Sequence, residues 1–240
     1  EEVVQNLLML QRNRMRYEAA SSEEAYFQTE MNALAAVNAE RYYRLMVHGG
    51  AVTWNLRDTH MVDVLNRLLQ REGTKAILWE HNTHIGDFRA THEGESGHVN
   101  VGQLVRERYG DQAIAIGFGT YRGTVTAASA WDMPADFKVV PPARPGSYES
   151  IFHASGVTNF YLPLRVIGVN IMPEGWLYRT RDERAIGVVY EPDRERFGNY
   201  VPSQLANRYD AYLYFDETLA LEPIDLGPEP PGLETYPSGY

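Results

Sequence analysis

A short apolar run in the first third of the chain stops abruptly at a group of ionisable side chains. The residues from Ala76 to Trp79 are apolar, and Glu-His-Asn-Thr-His follows directly from Glu80 to His84. Ligands of open α/β sheets bind outside the carboxyl ends of the strands, so a buried strand that ends in such a group would present it at a site. The pattern therefore predicts a strand over 76–79 that carries functional side chains.

Apolar residues at helical spacing dominate the chain before this point. They predict a helix at the start of the chain, a second helix from Ser21 to Val47, and a third that starts near Asn55 and is stopped by Gly73. The sequence therefore predicts a helix-rich N-terminal portion.

In the remainder of the chain, short apolar runs alternate with segments whose apolar residues have helical spacing. A helix is predicted from Val101 to Tyr109, and strands are predicted at four runs, Ala113–Phe118, Phe137–Val140, Ala185–Tyr190 and Ala211–Phe215. The segment from Thr120 to Pro145 is expected to form long loops with one strand inside. The simplest architecture is α/β, with a mostly parallel sheet flanked by helices. We expect one domain over residues 1–221 and a Pro/Gly-rich tail over 222–240.

Composition narrows the functional classes. The formal charge of −10 and the lack of clustered Lys and Arg argue against nucleic-acid binding. The absence of cysteine excludes thiol catalysis and thiolate metal sites. No spanning segment or secretory signal is recognisable, so we expect no membrane partner and a cytoplasmic location.

The two histidines at the end of the predicted strand admit three interpretations. If they lie in a turn, His81 and His84 can face one point and act as acid, base or positioning groups. They can equally satisfy buried backbone groups without any catalytic role. A zinc site is the third interpretation, with further ligands drawn from four carboxylate and imidazole side chains, Glu80, Asp87, His92 and His98.

Other candidates lie earlier in the chain. At the predicted helix start, Arg57 could point into a cleft and hold a carboxylate or a developing oxyanion, and Asp58 follows it. The alternative is that Asp58 stabilises the helix dipole and Arg57 is solvated. Tyr43 is one of several tyrosines that could line a cleft for a large, partly apolar ligand, although such tyrosines are more often core residues.

The motifs together resemble those of the erythromycin esterase family. The residues from Trp79 to His84 resemble the family's Trp-Ala-His-Asn-x-His motif, and those from Asn55 to Met61 resemble its Asn-x-Arg-Asp-x-x-Met helix start. Further matches follow in the same order at residues 102–118, 185–190 and 209–218. The resemblance covers the chain from about residue 24 to residue 221.

The family's first motif, Gly-Glu-x-Ser/Thr-His-Gly, which carries the histidine thought to act as general base, does not occur in this sequence. The superficially similar stretch from Gly94 to His98 differs in spacing and follows the Trp79 motif instead of preceding it. We therefore expect a carboxyl-terminal half of such a protein. Glu80 is a second departure, because the family commonly has a small residue there.

The resemblance implies a metal-independent esterase-like hydrolase that activates water against an ester or lactone carbonyl, with macrolide hydrolysis as the namesake activity. It implies that His81 and His84 position or protonate the substrate, that Arg57 stabilises negative charge and that Glu80 orients a histidine or water. Asn82, Asp58 and Tyr43 are expected to contact the substrate.

The expected partners are a small-molecule ester or lactone and the missing N-terminal half or a second copy of the chain. No cofactor is expected, with zinc as the alternative. A non-catalytic module that binds a small molecule or carbohydrate is the second functional hypothesis.

Overall fold

The structure is a computed structural model that describes residues 2–166, 169–171 and 175–222. The described residues form two compact units, one that extends to Leu78 and one that begins at Trp79. Helices make up the first unit, whereas the second combines helices and strands. The α/β class and the helix-rich N-terminal portion are thereby confirmed.

Four helices span the described part of the first unit: α1 (Glu2–Arg12), α2 (Arg14–Ala20), α3 (Glu23–Leu45) and α4 (Gly50–Leu69). Helix α3 begins close to its predicted start, because the Ser22 hydroxyl accepts a hydrogen bond from the Ala25 N–H at 3.1 Å. Helices α1 and α4 both pack against α3. The buried apolar side chains of the unit lie on these three helices: Leu7, Tyr26, Val37, Val62 and Leu65.

The third predicted helix begins earlier than its sequence suggests. It starts at Gly50, directly after Gly49, and both glycines have positive φ, 56° and 58°, which interrupts the chain between α3 and α4. Asn55 is therefore an interior residue and not the N-cap. The expectation that Arg57 projects from a helix N-terminus is wrong, because Arg57 lies about two turns inside α4.

The described part of the second unit contains helices α5 (Asn82–Ile85), α6 (His92–Glu95), α7 (Val101–Tyr109), α8 (Tyr148–Ala154), α9 (Glu195–Gly198) and α10 (Leu205–Arg208). Its strands are β1 (Ile116–Ala127), β2 (Asp136–Val140), β3 (Asn159–Pro163), β4 (Arg165–Val166), β5 (Val169–Asn170), β6 (Arg181–Arg184), β7 (Tyr200–Ser203) and β8 (Ala211–Thr218). The helix predicted from Val101 to Tyr109 is confirmed, and so are the strands predicted near Phe137 and Ala211.

A four-stranded sheet with the order β2, β1, β8, β3 forms the centre of the second unit. The central strands β1 and β8 are parallel, with Phe118 opposite Leu213, while β2 and β3 pair antiparallel at the two edges. Two antiparallel pairs, β4 with β5 and β6 with β7, lie outside this sheet. The main sheet is therefore mixed, parallel at its centre and antiparallel at its edges.

Two further predictions about local structure, for residues 120–145 and 185–190, are wrong. The segment from Thr120 to Pro145 is not mainly loop, because β1 continues to Ala127. The run from Ala185 to Tyr190 is not a strand, since β6 ends just before it and only Val189 makes an isolated bridge, to Ala128.

The run before the histidines also forms no strand. Residues 75–81 have no regular secondary structure, and Ile77 and Trp79 are 94% and 84% exposed. An apolar run becomes a strand only where a neighbour completes its backbone hydrogen bonds, and none of the described strands pairs with this one.

Tyrosines fill much of the core of the second unit. Its principal buried cluster consists of Tyr148, Phe152, Leu164, Leu177, Leu205, Ala206, Tyr209, Tyr212 and Tyr214. Helix α8 carries two of these residues and packs against β1, β6 and β8. The Tyr212 ring lies directly on the backbone of β1, where Gly117 leaves room for it. A core of this kind brings hydroxyl groups into the interior, and they need buried partners.

No helix in the described part of the chain has both the length and the apolar character needed to cross a membrane. The predicted tail over 222–240 lies outside the described residues except for Glu222.

We predict that Gly117→Ala destabilises the protein by about 1–3 kcal/mol, because an added Cβ would lie 2.7 Å from the Tyr212 ring and 2.9 Å from the Tyr209 ring. Urea denaturation followed by circular dichroism measures the difference. Gly187→Ala is the matched control, since apart from its chain neighbours no heavy atom of the described residues lies within 4 Å of the Cβ it would add. Equal stability of the two variants would show that the ring on β1 is not closely packed.

Candidate active-site turn

The predicted histidine motif forms a single helical turn after the extended segment. His81 is the N-cap of α5, and its carbonyl accepts hydrogen bonds from the N–H groups of His84 at 2.8 Å and Ile85 at 3.2 Å. The two histidines therefore lie within one turn, as the functional interpretation requires. We call residues 81–87 the histidine turn.

Both ring nitrogens of His81 are engaged by protein atoms. Nε2 lies 2.8 Å from the carbonyl oxygen of Ile186, which can only accept, so Nε2 carries a proton. Nδ1 accepts from the Thr83 N–H at 3.2 Å and lies 2.9 Å from the Thr83 hydroxyl. The geometry assigns the neutral Nε2–H tautomer to His81.

The surroundings of His81 favour this neutral form. Desolvation of the imidazole lowers its pKa below the ordinary value, although the residue as a whole has an exposed surface. The charges of His84 and Arg208 act in the same direction, whereas the Ile186 carbonyl and Glu183 oppose them. At neutral pH His81 is therefore a hydrogen-bond donor and not an imidazolium cation.

The side chain of Asn82 attaches the histidine turn to the sheet. Its Nδ2 donates to the carbonyl of Phe118 at 2.6 Å, and its Oδ1 accepts from the Phe118 N–H at 3.1 Å. The amide group thus continues the backbone pairing of β1. Both of its polar atoms are used in this way, so Asn82 supports the turn, and its expected contact with the substrate stays a prediction.

A buried asparagine holds the other end of the same turn. Asn100 is fully buried, and its Nδ2 donates to the carbonyls of Thr83 at 2.8 Å and Gly86 at 2.5 Å. Its Oδ1 accepts from the Gln103 N–H at 2.9 Å and so caps α7. Asn100 was not among the predicted site residues, although an asparagine directly before the predicted helix start at Val101 is a recognisable N-cap signal.

A buried ion pair completes the support of the turn. Arg208 on α10 and Glu183 on β6 are each 1% exposed in their side chains, with Nη1 and Oε2 2.8 Å apart. The other terminal nitrogen of Arg208 donates to the carbonyl of Asn82 at 3.0 Å. Glu183 also accepts from the hydroxyls of Ser203 and Tyr209, each at 2.8 Å.

The remaining predicted site residues lie outside the histidine turn. Glu80 is half-buried and precedes His81 directly. Arg57, Asp58 and Tyr43 belong to the first unit: the guanidinium of Arg57 lies 5.0 Å from the Trp54 ring, Asp58 is fully buried and Tyr43 is 44% exposed. Their assembly with the histidines into one site stays a prediction.

The carboxylate and imidazole groups proposed for zinc have other partners. Asp87 binds Arg89 at 2.6 Å, and His92 lies 2.9 Å from Glu95. Within residues 2–166, 169–171 and 175–222, no three His, Asp or Glu side chains are grouped as a metal site requires. The donor geometry of the described residues therefore gives the zinc interpretation no support.

A second carboxyl group is buried close to these elements. Glu149 on α8 is fully buried; its Oε1 accepts from the Arg184 N–H at 2.9 Å, and its Oε2 has no hydrogen-bond partner among the described residues. Burial raises the pKa of Glu149 to about 7, and the Arg184 N–H only partly offsets this. Near neutral pH this group exchanges a proton.

The fold and the turn define an α/β protein whose paired histidines are anchored on a mixed sheet. The family model for erythromycin esterase matches residues 1–218, and the chain belongs to this family.

Three solved structures share the fold. A protein from Bacillus cereus is 20% identical with a TM-score of 0.67, and the match covers 89% of this chain and 50% of that one. A succinoglycan biosynthesis protein is 19% identical with a TM-score of 0.61, over 87% of this chain and 49% of that one. A mutant of the erythromycin esterase EreC in its open conformation is 20% identical with a TM-score of 0.58, over 90% and 51%. The chain spans about half the length of these structures.

We predict that Glu149→Gln changes the pH dependence of stability. The pKa of Glu149 is higher in the folded chain, about 7, than its ordinary 4.5, so the folded state holds the proton more tightly and wild-type stability falls as pH rises from about 4.5 to 7. The variant should lack this decrease, which is on the order of 3 kcal/mol. Urea denaturation at pH 5 and pH 8 measures it.

Glu191→Gln is the control for this prediction. Its hydrogen bond from Lys138 lowers the pKa of Glu191, so any effect of that group falls below pH 4.5. Parallel pH profiles of wild type and Glu149→Gln between pH 5 and 8 would contradict the assignment.

Proposed function

We propose that this chain supplies part of the active site of an esterase-like hydrolase that activates water against an ester or lactone carbonyl. The observation that carries the proposal is the histidine turn, which places His81 and His84 within one turn on a backbone held from several sides. Groups held in position before the reaction need no costly ordering in the transition state. Membership of the erythromycin esterase family supports the reaction class.

The neutral tautomer suggests what His81 contributes. Its Nε2–H is a donor suited to a carbonyl oxygen, because in this structure it already donates to the carbonyl of Ile186. A substrate carbonyl that replaces this contact would receive the same hydrogen bond, which becomes stronger as negative charge develops on the oxygen. In the proposal, His84 positions or protonates the substrate and Glu80 orients a histidine or water.

The other proposed roles involve the first unit. Arg57 stabilises the negative charge of the transition state, and Asp58 and Tyr43 contact the substrate. In the proposal, the general base comes from the N-terminal half of the family fold, whose first motif this sequence does not contain. No metal is needed in this scheme, and a cytoplasmic bacterial enzyme that inactivates macrolides is its most specific form.

A non-catalytic binding module is the second candidate. It is favoured because both ring nitrogens of His81 already have hydrogen-bond partners in the protein. A structural match to a protein named for succinoglycan biosynthesis also supports it. In this alternative the turn holds the shape of a cleft for a carbohydrate or another small molecule, and no proton is transferred.

We predict that His81→Ala lowers kcat for ester or lactone hydrolysis by about 10²–10⁴-fold with little loss of stability, because a positioned acid–base group is removed. Hydrolysis of p-nitrophenyl esters, simple lactones and a macrolide measures this in the chain and in a longer form that carries upstream residues, with and without chelator.

His92→Ala is the matched control, because His92 is an exposed histidine whose observed partner is Glu95 on the same short helix. It should leave turnover unchanged. Equal activity of His81→Ala and wild type would exclude the catalytic assignment, and loss of activity on chelation would favour zinc. Binding of an oligosaccharide without hydrolysis of any ester would favour the binding module.

A further inference from the structure

One buried arginine contacts both ends of the histidine turn. The side chain of Arg208 donates through Nη2 to the carbonyl of Asn82 at 3.0 Å, and its own backbone carbonyl accepts from the Asp87 N–H at 3.1 Å. Gly86 lies so close to Arg208 that a Cβ at this position would overlap its side chain. Arg208 therefore contacts the histidine turn at Asn82, Gly86 and Asp87.

Glu183 fixes the orientation of that arginine. Its Oε2 accepts from Arg208 Nη1 at 2.8 Å and from the Ser203 hydroxyl at 2.8 Å, while its Oε1 accepts from the Tyr209 hydroxyl at 2.8 Å. These partners orient the guanidinium plane so that Nη2 reaches the Asn82 carbonyl while Nη1 binds Glu183. A lysine has no planar fork, and its single nitrogen cannot occupy the positions of both Nη1 and Nη2.

The cost of burying these two charges argues for a role beyond stability. Desolvation of a buried ion pair commonly cancels its attraction, and apolar residues of similar volume often stabilise a core at least as well. Arg208 and Glu183 are each 1% exposed, and Tyr209 contacts both through its ring and its hydroxyl. What an apolar pair could not supply is a directed hydrogen bond to the Asn82 carbonyl.

We propose that Arg208 and Glu183 are positioning residues that hold the histidine turn in the geometry required for reaction. The inference rests on the proposed function of His81 and His84 and adds two residues to it that touch neither substrate nor reacting atoms. Removing the contact would let the turn open locally. The amide protons of Gly86, which donates to the Asn82 carbonyl, and of His84, which donates to the His81 carbonyl, would then exchange more freely.

The chain contains a matched control in a second buried ion pair. Arg184 and Glu195 have side chains only 2% and 6% exposed, with Nε and Oε1 2.6 Å apart. Arg184 donates to the carbonyls of Thr120, Tyr121 and Pro141. These contacts lie on β1 and the segment after β2, so loss of this pair disturbs the core without releasing the turn.

We predict that Arg208→Lys accelerates amide hydrogen exchange at His84–Asp87 at least about tenfold relative to Arg184→Lys, in conditions adjusted to equal global stability. In the form that hydrolyses the substrate, either this chain or the longer form with upstream residues, Arg208→Lys should lower kcat by about 10–100-fold with a smaller change in KM. The reason is that displaced catalytic groups affect the reacting geometry more than binding. Exchange is measured by mass spectrometry of peptides that cover the turn.

A titration of the His81 ring by NMR gives a third readout. Arg208→Met removes a positive charge that helps to lower the pKa of His81, so this pKa should rise in the variant. If Arg208→Lys fails to fold, Glu183→Gln, which keeps the shape of the side chain and removes its charge, takes its place in the exchange and kinetic measurements.

The outcomes separate the inference from the function on which it rests. Faster exchange confined to the turn supports the positioning role even if no form hydrolyses any ester, in which case the proposed function alone fails. Equal exchange at the turn in Arg208→Lys and Arg184→Lys would overturn the inference and leave the buried pair as a purely structural feature. Unchanged kcat in a variant with a loosened turn would equally overturn it.

Discussion

The burial of the Arg208–Glu183 ion pair is the constraint on which the second unit depends. Two opposite charges, each 1% exposed, remain in the interior only if most of the strong donors and acceptors around them are engaged. The hydroxyls of Ser203 and Tyr209 and the carbonyl of Asn82 provide such partners, whereas Arg208 Nε has no hydrogen-bond partner among the described residues. Breaking such a pair typically costs about 3–5 kcal/mol, so the elements that supply these partners are fixed relative to one another.

The same constraint explains why an exposed motif has a defined geometry. The histidine turn follows a segment without regular secondary structure, and a short helical turn of four residues has little stability of its own. Its order comes from outside it, through the backbone of Phe118 on β1, Asn100 at the start of α7 and Arg208 on α10. Rigid neighbours thus define the positions of two histidines that local structure alone would leave free.

The electrostatics of this region separate the roles of its ionisable groups. His81 is held neutral by desolvation and by the charge of Arg208, which suits a hydrogen-bond donor at a carbonyl oxygen. Glu149 is buried with one oxygen that has no hydrogen-bond partner in the described part of the chain, and its pKa of about 7 makes the core sensitive to pH near neutrality. One carboxyl group, Glu183, is therefore committed to structure by its arginine, while the other remains able to exchange a proton.

The sequence by itself determined the helical first unit, the helix from Val101, the edge strand at Phe137, the last strand and the family, because these depend on local periodicity, capping and a contiguous motif. It misplaced the strands around 76–79 and 185–190, since pairing partners and not apolar runs decide strands. Only the tertiary structure identified Arg208 and Glu183, which lie 126 and 101 residues from Asn82. No local pattern marks them: a buried charge is recognisable only when the fold removes its solvent and supplies its partners.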